Sequence, residues 1–351
     1  MNERQATKAF DLSEQARSFL RVSEHVPSVT VLIAARPGQA LVKAVPASCA
    51  LDYPPEKLQI IVARGKQPSA QRNAGMKAAT GELIYFLDDD SVPVAHNLRT
   101  AVHHFQRPEV KMVGGPNLCP PEAPGLEKVF ALVLGSWLAF GPSRARYVPV
   151  GKVRETSEKE LILCNLLARR EAMLELGGFN EALYPNEENA LMDELQKRGG
   201  KLVYDPQFAV SRRPRSNLKA FAKMLMTYGR GRAEQFRLHP TPGSVLNFVP
   251  PAFVVYLCLL AILVPTWPNL RLFLLLPLAF YGLALFVQVA VLAASAGPVR
   301  SVAALPLIAV THVLYGLGFW HGLFTSLNTS ATRDPVPVEL EIVSAGPAQQ
   351  R

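Results

Sequence analysis

Apolar, β-branched runs alternate with shorter polar segments over the first two thirds of the chain, and this pattern predicts an α/β domain. The runs at 28–35, 58–63 and 82–87 each have the character of a buried strand that ends in a polar turn. Between the second and third runs, residues 68–79 have the Ala-rich composition of a helix, and Gly81 follows as a typical helix stop. Strand, crossover helix and strand form the βαβ unit of a parallel sheet.

The last third of the chain has a different pattern. Three long apolar segments, at 248–267, 270–295 and 302–326, contain almost no charge, and each is long enough to cross a hydrocarbon core of ~30 Å. We therefore expect three transmembrane helices within residues 247–326. The proline-containing residues 327–351 are expected to form a disordered tail.

A basic, amphipathic segment separates these two parts. Residues 217–238 interleave lysine and arginine with leucine, methionine and aromatic residues, which is the composition of a helix at a membrane interface. We place this connector at 211–246, after an α/β domain at 28–210 and a polar lead-in at 1–27. By the positive-inside rule the connector keeps the α/β domain in the cytoplasm, at the inner membrane of the cell, and three crossings would put the C-terminus on the opposite side.

Composition agrees with a membrane protein that has a basic polar half. Of the 351 residues, 49% are hydrophobic and 19% charged, with a formal net charge of +9 that could meet anionic headgroups or phosphorylated substrates. Four widely spaced cysteines form no C-x-x-C pair, so neither a zinc site nor a disulfide framework is indicated. The charged residues after position 246 are Arg271, Arg300, Arg333, Arg351, Asp334, Glu339 and Glu341.

Three adjacent carboxylates, Asp88, Asp89 and Asp90, follow directly on the third predicted strand. Because like charges next to a buried strand repel one another, the cluster needs a compensating cation. Asp88 and Asp90 are two residues apart and can face one pocket, with Asp89 turned away or supporting them. Oxygen ligands at the carboxyl end of a strand suit Mg²⁺ or Mn²⁺, although a solvated acidic turn would give the same short motif.

Several strings together resemble the family 2 inverting glycosyltransferases with the GT-A fold. These are SVTVLIAAR at 28–36, QRNAG at 71–75 and GELIYFLDDD at 81–90, in that order. LARREAMLELGGFNE at 167–181 and PNEENAL at 185–191 are similar to later parts of the same domain. The resemblance covers roughly residues 28–240, and it implies a GT-A α/β domain followed by membrane helices.

The resemblance also implies a nucleotide-sugar donor whose diphosphate is bridged by a divalent metal, Mg²⁺ or Mn²⁺. Asp90 and Asp88 match the metal-binding positions. Donor-binding roles follow for Asp88 and its neighbour Asp89, and for Arg36 and Arg72. Basic residues before the membrane spans, Arg230 and Arg232, are expected either to hold the diphosphate or to meet lipid headgroups.

Inversion requires a general base, and the resemblance points to Glu188, with Glu187 as the alternative. The chain departs from the family pattern here, because glutamate replaces the usual aspartate and Ala190 stands where an acidic residue is common. The same pair could simply begin a helix that Asn186 caps. A second departure is the absence of an aspartate in 63–66, which leaves the nucleotide base open.

These features predict a membrane-anchored glycosyltransferase of exopolysaccharide or envelope-glycan type. Its expected partners are a nucleotide-sugar donor, a lipid-linked or glycan acceptor, the membrane and proteins of a glycan assembly system, and no nucleic acid. Two alternatives remain open at this stage. One is a non-catalytic membrane scaffold with a degenerate domain, and the other is a nucleotidyltransferase, although the turn after the first strand is poor in glycine.

Overall fold

A mixed β-sheet with a hydrophobic core on each face forms the centre of the protein. The structure, a computed structural model, describes residues 26–181, 183, 186–238, 240, 242–326 and 337–343. The polar lead-in predicted at 1–27 therefore falls almost entirely outside the described residues. In chain order the strands are β1 (Val29–Ala35), β2 (Leu58–Arg64), β3 (Leu83–Asp88), β4 (Val92–Pro93), β5 (Val110–Gly114), β6 (Asn117–Leu118), β7 (Arg154–Thr156), β8 (Asn165–Arg169), β9 (Lys201–Tyr204), β10 (Val210–Ser211) and β11 (Glu339–Val343).

Helices cover the sheet and continue into the apolar C-terminal part. Short 3-10 segments lie at Pro55–Lys57, His103–Gln106, Gly141–Arg146, Pro242–Phe248 and Pro268–Leu270. The α-helices are α1 (Ala44–Cys49), α2 (Pro68–Ala78), α3 (Asn97–Val102), α4 (Gly125–Leu134), α5 (Trp137–Phe140), α6 (Arg170–Glu175), α7 (Glu187–Lys197), α8 (Leu218–Leu238), α9 (Val249–Thr266), α10 (Arg271–Ala296) and α11 (Pro298–Phe324).

The large sheet has the strand order β11-β2-β1-β3-β8-β5-β9-β7. Strands β1, β2, β3, β5 and β9 run in one direction, and β7, β8 and β11 run in the other. Alternate side chains of β1 enter opposite cores: Val31 and Ile33 lie in one, and Leu32 lies in the other. The βαβ unit expected from the sequence is confirmed, with each strand within one residue of its predicted bounds.

A second, three-stranded sheet with the order β4-β10-β6 lies beside the end of β3. Strand β4 begins two residues after Asp90, and β10 pairs with it so that Ser211 opposes Val92. Because of this pairing, the residues that directly follow β10 lie beside the aspartate cluster.

Helices α9, α10 and α11, with their flanking residues, are each long and apolar enough to cross a membrane. They follow α8, the basic helix that lies within the predicted interfacial connector. After the three apolar helices, the chain returns to the large sheet. The expected disordered tail is wrong for residues 339–343, because these form β11, antiparallel to β2. Alternation of Leu340 and Ile342 with glutamates suits an edge strand, and Glu341 pairs with Arg64 at 2.9 Å. Residues 327–336 and 344–351 lie outside the described residues.

Candidate active site

The QRNAG string lies on α2 and joins three parts of the α/β domain. Gln71 donates its side-chain amide to the carbonyls of Ala35 and Ala63, at 2.7 and 2.6 Å, and so ties the helix to the ends of β1 and β2. Asn73 exchanges hydrogen bonds with the backbone of Phe179. Gly75 is required where the helix crosses the sheet, since a Cβ there would lie 2.2 Å from a methyl carbon of Leu32. These contacts leave Arg72 directed towards the end of β3.

Two arginines neutralise the aspartates at the end of β3. Arg72 donates from Nη2 to Asp88 Oδ1 at 3.0 Å. Arg212 contacts both outer aspartates, with Nη2 3.2 Å from Asp88 Oδ2 and Nε 2.5 Å from Asp90 Oδ1. Burial alone would raise the pKa of the Asp88 carboxyl, but Arg212 and Arg72 outweigh it and hold that pKa below its ordinary value. In the protein alone, the guanidinium groups of Arg72 and Arg212 supply the positive charge that the sequence predicted beside the aspartates.

The small sheet explains why Arg212 reaches this position. It directly follows β10, whose Ser211 opposes Val92, and its backbone N–H donates to the carbonyl of Leu118 at 2.9 Å. Asp90 lies two residues before Val92, where the partner strand β4 begins. The register of this pairing therefore sets Arg212 beside Asp90. Arg212 belongs to a run of arginines that the sequence assigned to the membrane connector, and its contribution to the site was missed.

Glu187 and Glu188 begin α7 next to this cluster. Glu187 is 3% exposed, and its Oε1 lies 3.3 Å from Nη1 of Arg72. Burial, followed by the charge of Glu188, raises the pKa of the Glu187 carboxyl to about 8, although Arg72 acts in the opposite direction. Glu188 is partly exposed and lies close enough to Arg146 for their charges to interact.

The residue directly before α7 has an unusual backbone conformation. Asn186 has φ +89°, and it is the one non-glycine residue with a positive φ in the described part of the chain. Its side chain does not cap the helix, although the alternative interpretation of the glutamate pair requires this; instead its Oδ1 accepts from Asn189 at 2.8 Å. Asparagine adopts this left-handed conformation more readily than most residues, and here it sets the start of the helix that carries Glu187 and Glu188.

A cavity of about 360 Å³ opens at Asp90 and extends towards α4 and α8. Arg212 and Arg213 line one side, and Tyr147 and Tyr228 line another, with their hydroxyl oxygens 3.4 Å apart. Glu127 in its wall is 2% exposed and receives two hydrogen bonds from Arg213. The cavity thus runs from a carboxylate cluster to the helix that precedes the apolar part of the chain.

Comparison with known proteins agrees with this geometry. The model of a family described as "Glycosyltransferase like family 2" matches residues 5–227, which is more than half of the chain. The protein belongs to this glycosyltransferase family.

Curated relatives of the transferase cover part of its length. It is 27% identical over 181 residues to a "Pre-mycofactocin glycosyltransferase" of Mycobacterium tuberculosis, a match that covers 52% of this chain and 37% of the relative. It is also 27% identical over 203 residues to "Succinoglycan biosynthesis protein ExoA" of Rhizobium meliloti, covering 56% of each chain. The matched region is therefore about half or less of these relatives' own length.

One solved structure resembles nearly the whole transferase. It is the mannosyltransferase PcManGT from Pyrobaculum calidifontis, in complex with GDP-Man and Mn²⁺. The TM-score is 0.53 at 15% identity, and the match covers 90% of this chain and 94% of PcManGT. At this identity the likeness supports a shared fold, the GT-A fold expected from the sequence.

The transferase brings only some of the predicted site residues together. Arg72, Asp88 and Asp90 meet as expected, and Glu187 joins them through Arg72. The backbone carbonyl of Asp89 accepts from the N–H of Ala44 at 3.1 Å, which ties it to α1.

The predicted basic residues have other neighbours. Arg36 is exposed in the turn after β1, where its backbone pairs with Gln39. Arg230 pairs with Glu234 at 3.4 Å, and Arg232 lies 3.8 Å from Glu158. Their predicted contacts with a donor stay predictions.

Arg146 is a further residue that sequence reasoning missed. Its Nη2 donates to Asn189 Oδ1 at 2.7 Å and to the backbone carbonyl of Glu158, so it joins the loop after β7 to the glutamate helix α7. Burial and the nearby charge of Arg232 lower the pKa of its guanidinium. Arg146 lies in a 3-10 segment with no strand or helix periodicity, and no signal in the sequence linked it to Glu188.

Proposed function

We propose that the protein transfers a sugar from a nucleoside-diphosphate donor to an acceptor hydroxyl or phosphate, with inversion at the anomeric carbon. The observation that carries this proposal is the convergence of Asp88 and Asp90 with Arg72 and Arg212, beside a cavity that Asp90 and Arg212 line. Carboxylates and guanidinium groups in one place are the groups that a metal-bound diphosphate needs. Membership of the glycosyltransferase family supports the reaction class.

The outer aspartates suit a divalent metal, Mg²⁺ or Mn²⁺, bound together with the donor. The Asp90 side chain is 42% exposed and lines the cavity, so a carboxylate oxygen can reach a ligand there. Magnesium is usually held by one or two carboxylates plus substrate phosphates, and not by a cage made entirely of protein ligands. Within the described residues no group of three or more metal-binding side chains is present, so the donor would have to supply the remaining ligands.

When bound, the metal would act as a Lewis acid that stabilises charge on the departing nucleoside diphosphate. Asp90 and Asp88 would hold it, as the resemblance of the sequence implies. Arg212 and Arg72 are within reach of these carboxylates and can turn towards the diphosphate, adding charge-assisted hydrogen bonds. The bound metal in PcManGT supports divalent metal use here.

Glu188 is the group we assign as general base. A base must be ionised before it accepts the proton of the attacking hydroxyl. Burial raises the pKa of the Glu187 carboxyl to about 8, which favours its protonated form at neutral pH, and its Oε1 is engaged with Arg72. Glu188 is partly exposed, so a substrate can reach its carboxylate, and Arg146 lies close enough for their charges to interact.

The acceptor would enter from the membrane side. Met224 and Tyr228 of α8 line the cavity, and α8 is the basic helix that precedes the apolar helices. A lipid-linked acceptor, or a glycan growing on one, can therefore reach Asp90 without leaving the membrane surface. We place the α/β domain in the cytoplasm, at the inner membrane, in a glycan assembly system. The similarity to ExoA, a succinoglycan biosynthesis protein, supports this context.

A donor panel tests the proposal. Full-length protein in detergent or nanodiscs is titrated with a series of nucleotide sugars, with Mn²⁺, with Mg²⁺ and with EDTA, and both donor binding and donor hydrolysis are measured. We expect one donor class to bind with metal, and Asp90→Asn to lose hydrolysis. Asp52→Asn, at an exposed aspartate paired with Arg99, is the control and should stay active. Folded protein that binds no donor, or an Asp90→Asn variant as active as the control, would contradict the proposal.

A further inference from the structure

The C-terminal strand lies on the same sheet as the catalytic residues, although three apolar helices precede it. Strand β11 pairs with β2, and its Glu341 forms an ion pair with Arg64 at the end of that strand. The ten residues 327–336 join α11 to this part of the chain, and they include Arg333 and Asp334. A short polar segment cannot cross a hydrocarbon core, because its backbone groups and charges would be unsatisfied there. The end of α11 must therefore be on the catalytic side of the membrane.

The start of α9 is on that side too. It follows α8, which carries Lys219, Lys223 and Arg237 among other charges and cannot itself cross a membrane. Arg237, at the end of α8, donates to the carbonyls of Gly322 and Thr325 at the end of α11, at 3.1 and 2.5 Å. With both ends of the α9 to α11 segment on one side, the number of crossings within it must be even.

Helix α11 remains in contact with catalytic-side elements along its whole length. Near its start, Ala304 and Ile308 share a hydrophobic cluster with Phe130 of α4 and Phe221 of α8. At its middle, Nε2 of His312 donates to the carbonyl of Leu138 in α5 at 2.8 Å. A helix that crossed the bilayer would leave such partners after its first turns.

Glycines let α11 lie directly on α8. A Cβ at Gly318 would come 2.1 Å from the backbone oxygen of Met226, and one at Gly322 would come 2.4 Å from that of Arg230. From α8, a Cβ at Gly229 would come 2.0 Å from the backbone oxygen of Tyr315. Gly318 and Gly322 have the spacing by which two helices approach closely over several turns. The contact fixes α11 along the interfacial helix.

The opposite face of α11 is exposed and apolar. Its exposed side chains recur with helical spacing and form one stripe, whereas Ser301, Thr311 and Phe319 on the other face are buried. The stripe includes Val299, Val302, Val310, Leu317 and Phe324, all between 41% and 82% exposed.

We propose that only α9 and α10 cross the membrane, as a helical hairpin, and that α11 lies in the membrane surface beside α8 with its apolar stripe on the lipid. The C-terminal strand then stays on the catalytic side. The hairpin turn at 267–270 is the part of this segment that reaches the far side. The proposal does not depend on the reaction.

Labelling from one side of sealed vesicles tests the number of crossings. In a full-length protein whose native cysteines are replaced by serine, single cysteines are placed at Glu122 in the catalytic domain, at Asn269 in the hairpin turn and at Glu339 in β11. We expect an impermeant maleimide to label positions 122 and 339 from the same side, and position 269 from the other. Labelling of position 339 together with position 269 would overturn the proposal. Because replacing the cysteines could impair folding, protease sensitivity of an epitope tag after Arg351 in the otherwise unaltered chain gives the same comparison.

The depth of α11 is measured separately with spin labels. Leu317 on α11 and Leu276 on α10 are both exposed leucines, 42% and 47%, and form a matched pair. Collisions with oxygen and with a water-soluble nickel complex should report position 317 near the membrane surface and position 276, closer to the hairpin turn, deep in the hydrocarbon core. Equal depth for the two positions would overturn the surface placement of α11.

Discussion

Arg212 holds the two carboxylates that we assign to the metal, so its removal should have opposite effects on metal and donor. In the protein alone, its guanidinium contacts Asp88 at 3.2 Å and Asp90 at 2.5 Å. A divalent ion that approaches both carboxylates without a donor must first displace it. In Arg212→Gln this competition is gone, whereas the positive charge available to a diphosphate is reduced.

The size of the effect follows from the two ion pairs. Hydrogen bonds to charged groups contribute about 1.5–3 kcal/mol when well shielded. The side chains of Arg212 and Asp90 are 22% and 42% exposed, so solvent screening reduces this contribution. Taking about 1.4 kcal/mol as the net cost of displacing the arginine, we expect Mn²⁺ to bind Arg212→Gln about tenfold more tightly than the native chain.

The assay is a Mn²⁺ titration without donor, in which the electron paramagnetic resonance signal of the free ion reports binding. Donor affinity is then measured at saturating Mn²⁺ and should fall. Arg213→Gln is the matched control, because the neighbouring Arg213 pairs with Glu127 and does not contact the aspartates. Unchanged or weaker Mn²⁺ binding in Arg212→Gln would refute the reasoning, because it would mean that the arginine does not compete for these carboxylates.

Three further variants test other parts of the argument. Since the pKa of Glu187 is raised in the folded protein, native stability should fall as pH rises from about 5 to 8. Thermal unfolding of Glu187→Gln should show a smaller loss over this range, whereas the exposed Glu171→Gln should keep the full loss. Glu188→Gln should reduce kcat by a factor of about 10² or more with donor affinity retained, and an equal loss of both would argue against a base. Gly318→Ala should lower the melting temperature in detergent, because its Cβ would meet the α8 backbone at 2.1 Å, whereas Gly282→Ala, with nothing within 4 Å, should not.

The parts of the fold that follow from local pattern could be predicted. Strands β1, β2 and β3 and helix α2 have continuous apolar or Ala-rich sequences bounded by turn residues, and the aspartates fall where a parallel strand ends. Arg72 was reached through the resemblance of its string. Strand β11 was missed because its alternating pattern is short and lies among prolines, and its partner β2 is more than 270 residues away in the chain.

Arg212 could not be predicted for a different reason. Its role depends on the pairing of two two-residue strands, β4 and β10, which are too short for any periodicity to reveal them. From its composition, the arginine-rich run at 212–215 was assigned to the membrane connector, because basic residues are common there. Only the register that sets Ser211 against Val92 brings the first arginine of that run to the acidic cluster.

The segment predicted as a connector is therefore also a wall of the site. Arg212 meets the aspartates, and Tyr228 of α8 lines the same cavity while its neighbour Gly229 packs on α11. A change in how α8 and α11 lie on the lipid would move one wall of the cavity relative to Asp90, which is held by the large sheet. The proposed lipid-linked acceptor would lie against the α8 wall of the cavity, and the donor would lie at Asp90. The packing of α8 on the membrane surface should therefore affect acceptor use more than donor binding. Activity with a lipid-embedded acceptor should then depend on α8 packing more steeply than hydrolysis of the donor does.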